Sequence, residues 1–123
     1  MAMTLTKKRQ MAPGKGKPPT VRVLRRRFGV PQRVFARLMS VSERSLAKFE
    51  KEPACSETVL RQVSSLSRLQ AALSRVIKPE AIGRWLQEPN PAFDGLKPLE
   101  VIERGQVDRI WAMVYQLGSG NAG

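Results

Sequence analysis

From Val21 onward, apolar residues recur at helical spacing. Val21, Leu24 and Phe28 fall on one face of a first helix, and Arg22, Arg25, Arg26 and Arg27 cover the remainder. Gly29 stops that helix, and Pro31 suits the first turn of the next. In the second helix Val34, Phe35, Leu38 and Met39 form the apolar stripe, with Arg33 and Arg37 outward. Ser42 announces a third helix as an N-cap, and Val41 and Leu46 hold the two positions of a hydrophobic staple. Leu46 and Phe49 face inward there. Arg44, Lys48 and Lys51, spaced i, i+4, i+7, share an exposed basic face, and Pro53 ends the element.

A longer helix is predicted from about Ser56 to Ile77, striped by Val59, Val63, Leu66, Leu73 and Val76 and closed by Lys78-Pro79. Core packing explains such a stripe; a bridge between two modules or a dimer seam is the other reading. Three short helices follow. Pro79 to Gln87 carries Ile82, Trp85 and Leu86; Pro98 opens one with Leu99, Val101 and Ile102; and Val107, Ile110, Val114 and Leu117 line the last. Glu88-Pro89-Asn90-Pro91, the turn Phe93-Asp94-Gly95, and Gly105 separate them. Residues 1–20 mix five cations with Gly and Pro and show no periodicity, so they read as a flexible basic tail, solvating or tracking a polyanion. The glycine-rich end, Gly118 to Gly123, reads as a second flexible tail. No segment alternates as a strand does and no internal repeat is visible, so the expected fold class is all-α.

Composition narrows the chemistry. The chain has 123 residues, enough for one domain or two small modules, and its 41% hydrophobic content argues against wholesale disorder. No apolar run approaches a membrane span, and Met1 to Thr20 has no signal-peptide core. With no histidine and a single cysteine, Cys55, the chain lacks the means for His-based triads, a cysteine-rich metal site or an internal disulfide. The acids Glu80, Glu88, Asp94, Glu100, Glu103 and Asp108 are scattered, without paired-carboxylate spacing. The expectation is a protein that is not an enzyme and needs no metal or cofactor.

The net charge of +12 is unevenly placed. Residues 1–55 hold 14 Lys+Arg against 3 acids, whereas residues 56–123 hold 8 against 7. A strongly basic first half suits a polyanion, and a nearly neutral second half suits another task.

Residues 32–51, QRVFARLMSVSERSLAKFEK, fit a helix-turn-helix. Ala36 is the small residue needed where the second helix packs against the first, and Met39-Ser40-Val41 is the turn. In that geometry the N-terminal part of the second helix enters the major groove. Ser42, Glu43, Arg44, Ser45 and Lys48 would meet DNA there, Arg44 or Lys48 at a guanine and Glu43 at a cytosine amino group. Gln32 would reach a phosphate or brace Glu43, and Arg22, Arg26, Arg33 and Arg37 would neutralise phosphates. The pattern Gln32, Ala36, Ser40, Val41-Ser42, Leu46 and Glu50 resembles the phage-repressor and Xre class, with Ser40 standing where that class has Gly, and Pro31 in place of its Thr/Ser cap.

A second string, residues 84–120, carries Trp85-Leu86, Asn90-Pro91, Gly95, Pro98-Leu99-Glu100, Gly105, an apolar helix from Val107 to Leu117, and Gly118. It resembles the toxin-binding domain of the Xre/MbcA/ParS antitoxins. The resemblance implies a cytoplasmic bacterial type II antitoxin that silences a RES-type toxin acting on NAD, covers that toxin's active-site entrance, and represses its own operon. It also implies a homodimer and a larger complex with toxin. Trp85, Leu86, Asn90, Pro91, Trp111, Tyr115, Gly118, Ser119, Gly120 and Asn121 are the residues it assigns to the toxin. The expected division is a tail (1–20), a helix-turn-helix domain (21–55), a linking or dimerisation helix (56–78), a toxin-binding helical domain (79–118) and a tail (119–123). Three other classes stand against this one: a stand-alone repressor with a C-terminal oligomerisation or ligand domain, an RNA-binding basic protein and an enzyme. They lack, respectively, convergent polar groups in residues 79–123, stacking aromatics outside inward positions, and a nucleophile–base set.

Overall fold

The computed structural model describes residues 19–52 and 56–120. Residues 1–18 of the basic N-terminal tail, residues 53–55 and Asn121 to Gly123 lie outside the described residues. Among the described residues seven α-helices form and there is no strand. They are α1 (Val21–Phe28), α2 (Gln32–Met39), α3 (Glu43–Lys51), α4 (Glu57–Leu73), α5 (Ile82–Leu86), α6 (Pro98–Glu103) and α7 (Val107–Gly120). Short 3₁₀ turns at Pro79–Ala81 and Pro91–Phe93 lead into α5 and towards α6. The all-α expectation holds, and no helix among the described residues is long and apolar enough to cross a membrane.

Local chemistry sets the boundaries. The hydroxyl of Thr20 accepts from the Val23 N–H at 3.2 Å, and Ser42 and Ser56 do the same for Ser45 and Val59 at 3.0 and 3.3 Å. Each satisfies a donor that the first helical turn leaves free. Gly29 ends α1 in the left-handed region, at φ 72°, where a glycine carries no Cβ penalty. Ser40 ends α2 in the same conformation, at φ 58°. The turn therefore adopts the shape a glycine favours, with a serine in it.

Two boundaries differ from the sequence pattern. The fourth helix stops at Leu73, not Ile77. Ser74 Oγ donates to the Ala71 carbonyl at 2.7 Å, the oxygen that the Arg75 N–H would need to continue the helix; that N–H turns to Ala72 instead, at 3.2 Å. Val76 thereby leaves the stripe and is half-buried, while Leu69 joins Val59, Val63, Leu66 and Leu73 in the interior. The last helix runs on through Gly118 to Gly120, which the glycine content had suggested was tail.

The buried residues form one cluster that draws on all seven helices. α2 packs on α3 and on α6, α4 lies against α1 and α7, and α5 against α6. Gln62 on α4 donates to the Met39 carbonyl at 2.8 Å, satisfying the end of α2. Backbone meets backbone closely at Gly83 in α5. A Cβ there would sit 2.5 Å from the Gly29 carbonyl oxygen and 3.0 Å from that of Phe28. The second half of the chain is thus seated on the end of α1 at a point where only hydrogen fits.

Two substitutions test this packing. Gly83→Ala forces backbone apart and should destabilise the fold by about 1–3 kcal/mol, the usual range for overpacking, read as a lowered urea midpoint. Ser40→Gly removes a left-handed cost of roughly 1–2 kcal/mol while adding chain entropy of roughly 0.5–1 kcal/mol, so it should stabilise slightly. A lowered melting temperature for Ser40→Gly would contradict the strain assigned to that turn.

Candidate functional site

Two surfaces carry the sequence-assigned residues, and an internal ionic cluster holds one of them in shape. On α3 the residues Leu46, Phe49 and Glu50 share the inward stripe, at i, i+3 and i+4. The Glu50 carboxylate is consequently only 2% exposed. Arg25 of α1 grips it with two nitrogens, Nε to Oε2 and Nη2 to Oε1 at 3.2 Å, and Gln32 of α2 donates to Oε1 at 3.0 Å. Arg22 stands 3.8 Å away. Arg25 also reaches the Val30 carbonyl at 3.3 Å. This corrects two expectations: Gln32 braces Glu50 and not Glu43, and Arg25 turns inward instead of covering the outer face. The signal for the cluster was present, since a carboxylate on an apolar stripe must find donors.

Burial pushes the Glu50 carboxyl up. The hydrogen bonds from Arg25 and Gln32 and the charges of Arg25 and Arg22 outweigh it, and the group is held below the usual carboxylate range. The opposite face of α3 is outward: Arg44, Lys48 and Lys51 are exposed there, Glu43 is exposed at the first position of the helix, and Ser45 is half-buried beside the capping Ser42. Arg26 and Arg33 are exposed on α1 and α2. Arg37 is differently engaged. Its Nε and Nη2 form a two-pronged bond with Glu103 of α6, both at 2.7 Å, which raises the arginine's pKa and lowers that of the glutamate. It is a strut between α2 and α6, not a free phosphate ligand. The pair is largely exposed, so its worth to stability is at most about 1 kcal/mol.

The second surface lies at α7. Ile110 and Val114 point into the core, but the helix continues past the core's edge. Leu117, which the spacing placed on the inner stripe, is 42% exposed because α7 outruns the residues it packs on. Tyr115 is 69% exposed and stands against Trp111, with ring centroids 6.2 Å apart. Trp111 also walls a groove of about 460 Å³ between α4 and α7, floored by Leu38, Leu66 and Leu69 and edged by Arg61 and Arg68. Gly118 is exposed on the same helix end.

The other motif residues build the turn that carries this helix. The Asn90 side chain accepts from the Ala92 N–H at 2.9 Å, and its backbone N–H donates to the Leu96 carbonyl at 3.0 Å. Asp94 and Gly95 follow with φ of 59° and 85°. Trp85 meets the buried Phe93 edge-on at 6.3 Å, and the Arg109 guanidinium lies over the same ring at 5.6 Å while bonding Asp94. Leu86 is fully buried, so it supports this region from inside and presents no surface; Pro91 is exposed.

With this geometry in view, comparison with known proteins defines the class first. Residues 71–112 match the family model of the antitoxin Xre/MbcA/ParS C-terminal toxin-binding domain. Residues 71–112 are therefore similar to that domain, as the motifs imply, and the matched segment includes the end of α4, the Asn90 turn and Trp111. A particular solved relative then extends the fold likeness to most of the chain. A chain in the crystal structure of the M. tuberculosis MbcT-MbcA toxin-antitoxin complex superposes with a TM-score of 0.64 at 21% identity, covering 82% of this chain and 92% of that one. No curated protein matches the chain.

The Glu50 cluster yields a pH prediction. A carboxylate whose folded pKa is depressed stabilises the fold above its unfolded pKa of about 4.3, and the contribution is lost as pH falls through the lower folded value. Glu50→Ala should cost about 1.5–3 kcal/mol at pH 7, the usual worth of hydrogen bonds to a charged group. The gap between the parent and Glu50→Gln in urea unfolding should shrink below about pH 4, where the parent's carboxylate is protonated as well. A gap that does not change with pH would count against the ion pair as its source.

Proposed function

We propose that this chain is the antitoxin of a type II toxin–antitoxin pair: a cytoplasmic bacterial protein that binds and silences a RES-type, NAD-consuming toxin and represses its own operon. It acts by binding and performs no catalysis. The observation that carries the reading is the match of residues 71–112 to a toxin-binding domain, on a fold whose last helix leaves Tyr115 and Leu117 exposed beyond the core, beside a half-buried Trp111. Large aromatic side chains held on a rigid helix are favourable interface anchors, because they bury much area at little entropic cost. The groove beside Trp111 extends that surface along α4. In this reading the end of α7 and the residues after it cover the entrance to the toxin's active site, and Asn121 belongs to that segment.

The α2–α3 pair is the DNA-reading element. Its support is the exposure of Glu43, Arg44 and Lys48 along α3, the helix that such a pair lays in the major groove. Arg22, Arg26 and Arg33 neutralise phosphates, and Ser42 and Ser45 close the start of the reading helix. Homodimers present two such helices to two half-sites and gather toxin into a larger complex.

Where a RES-type protein is encoded beside this chain, co-expression of the two should restore growth, and they should co-purify. Trp111→Ala with Tyr115→Ala should weaken capture at least tenfold without unfolding the chain, consistent with hot-spot losses of about 2 kcal/mol or more. Failure of the unaltered chain to rescue growth or to co-purify would defeat the neutralisation claim. On DNA, Arg44→Ala should relax preference for the chain's own promoter by roughly 1–3 kcal/mol. Unchanged binding by both Arg44→Ala and Lys48→Ala would show that α3 is not the reading helix.

A further inference from the structure

We propose that the C-terminal domain supplies a DNA contact of its own: Lys97 and Arg33 jointly hold one backbone phosphate in a cleft beside the start of α3. The inference rests on the reading of α2–α3 as the DNA-binding pair and adds to it a residue from the other half of the chain.

The cleft has a volume of about 520 Å³. Arg33 and Arg37 line it from α2, Glu43 from the first position of α3, Gln87 from the end of α5, and Lys97 from the position that caps α6. Three cations from two distant parts of the sequence thus face one space. Arg37 is tied to Glu103. Among the described residues neither Arg33 nor Lys97 has an ion-pair partner, Glu43 included. Two unpaired cations facing a common cleft favour an anion between them. The position of the cleft says which anion. When a helix pair of this kind docks, the N-terminus of the second helix meets base edges and the first helix crosses the backbone. A space bounded by α2 and by Glu43 at the head of α3 lies on that junction, where a phosphate passes.

The fold keeps Lys97 there. Its backbone N–H donates to the Glu100 carboxylate at 2.8 Å, and it is half-buried, so less side-chain freedom remains to be lost on binding. The Arg37–Glu103 strut and the shared core hold α6 against α2, so the lysine keeps its station when DNA arrives. The consequence is a DNA footprint wider than the helix pair, with the domain proposed to hold toxin touching the same duplex.

The experiment is a salt titration of binding by the full chain to two duplexes of equal length, one from immediately upstream of its own reading frame and one unrelated. Lys97→Ala should weaken both about equally, by about eightfold near 0.1 M salt, and reduce the slope of log K against log salt by about 0.9, one phosphate's worth. Lys97→Arg should restore the slope. Arg104→Ala, which removes an exposed cation outside the cleft, should leave it unchanged. Lys97→Ala keeps the backbone cap from Glu100, and a thermal melt confirms that it folds. If Lys97→Ala leaves the slope untouched while Arg44→Ala still impairs promoter binding, the cleft contact is refuted and the helix-pair reading survives. If the unaltered chain binds neither duplex, or if Arg44→Ala and Lys97→Ala are both silent, the helix-pair reading falls and this inference with it.

Discussion

A carboxylate turned toward an apolar interior needs donors within reach, and Glu50 obtains them from two other helices. Arg25 comes from α1 and Gln32 from α2, so one buried charge specifies how the first three helices meet. The arrangement costs desolvation of both charges and is tolerable only because each carboxylate oxygen is satisfied. Removing Glu50 would take from Arg25 and Gln32 the acceptor they share. The outward orientation of Arg44 and Lys48 follows from it, since these residues ride on the same helix with Glu50 pinned on the far side. A DNA-reading face, as proposed for α3, is in this sense set from behind.

The same logic extends to the second half of the chain. α4 lies against both α1 and α7, Gly83 lets α5 touch the end of α1, and Arg37 reaches α6. One hydrophobic cluster runs through all of these contacts. The α3 face and the exposed end of α7 are therefore two surfaces of one packed unit. If each holds the partner proposed for it, the two occupancies meet through fixed geometry and through steric fit on the DNA, with no hinge among the described residues needed to relate them.

Helix positions were legible because their causes are local. Capping hydroxyls at Thr20, Ser42 and Ser56, the glycine after Phe28 and the prolines at 31, 79 and 98 act within a few residues of themselves. The errors arise where the deciding partner is remote or where an element outlasts its support. Val76 looks like stripe, but a serine hydroxyl takes the carbonyl on which the helix depended. Leu117 has the right spacing, and the core ends before it. Gln32 and Arg25 look outward on their own helices, and only α3 across the interface explains why they turn in. Of the motif string in the second half, Asn90 and Gly95 prove to shape a turn, Leu86 to fill the core, Trp111 to pack half-buried against that core, and Tyr115 to remain available at the surface. A linear motif does not separate these roles, because all of them constrain residue type equally.

By itself, the sequence determined that this protein is helical, where most helices begin and end, that its first half is strongly basic, and that its second half resembles a toxin-binding domain. Periodicity, capping chemistry and charge are properties of neighbouring residues, so they survive without coordinates. Tertiary structure alone decided that both halves share one core, that Arg37 is a strut and Glu50 an anchor, and that Lys97 faces the same cleft as Arg33. Those outcomes depend on which side chains meet across 25 to 66 residues of chain, and on which donors remain once the interior has been filled.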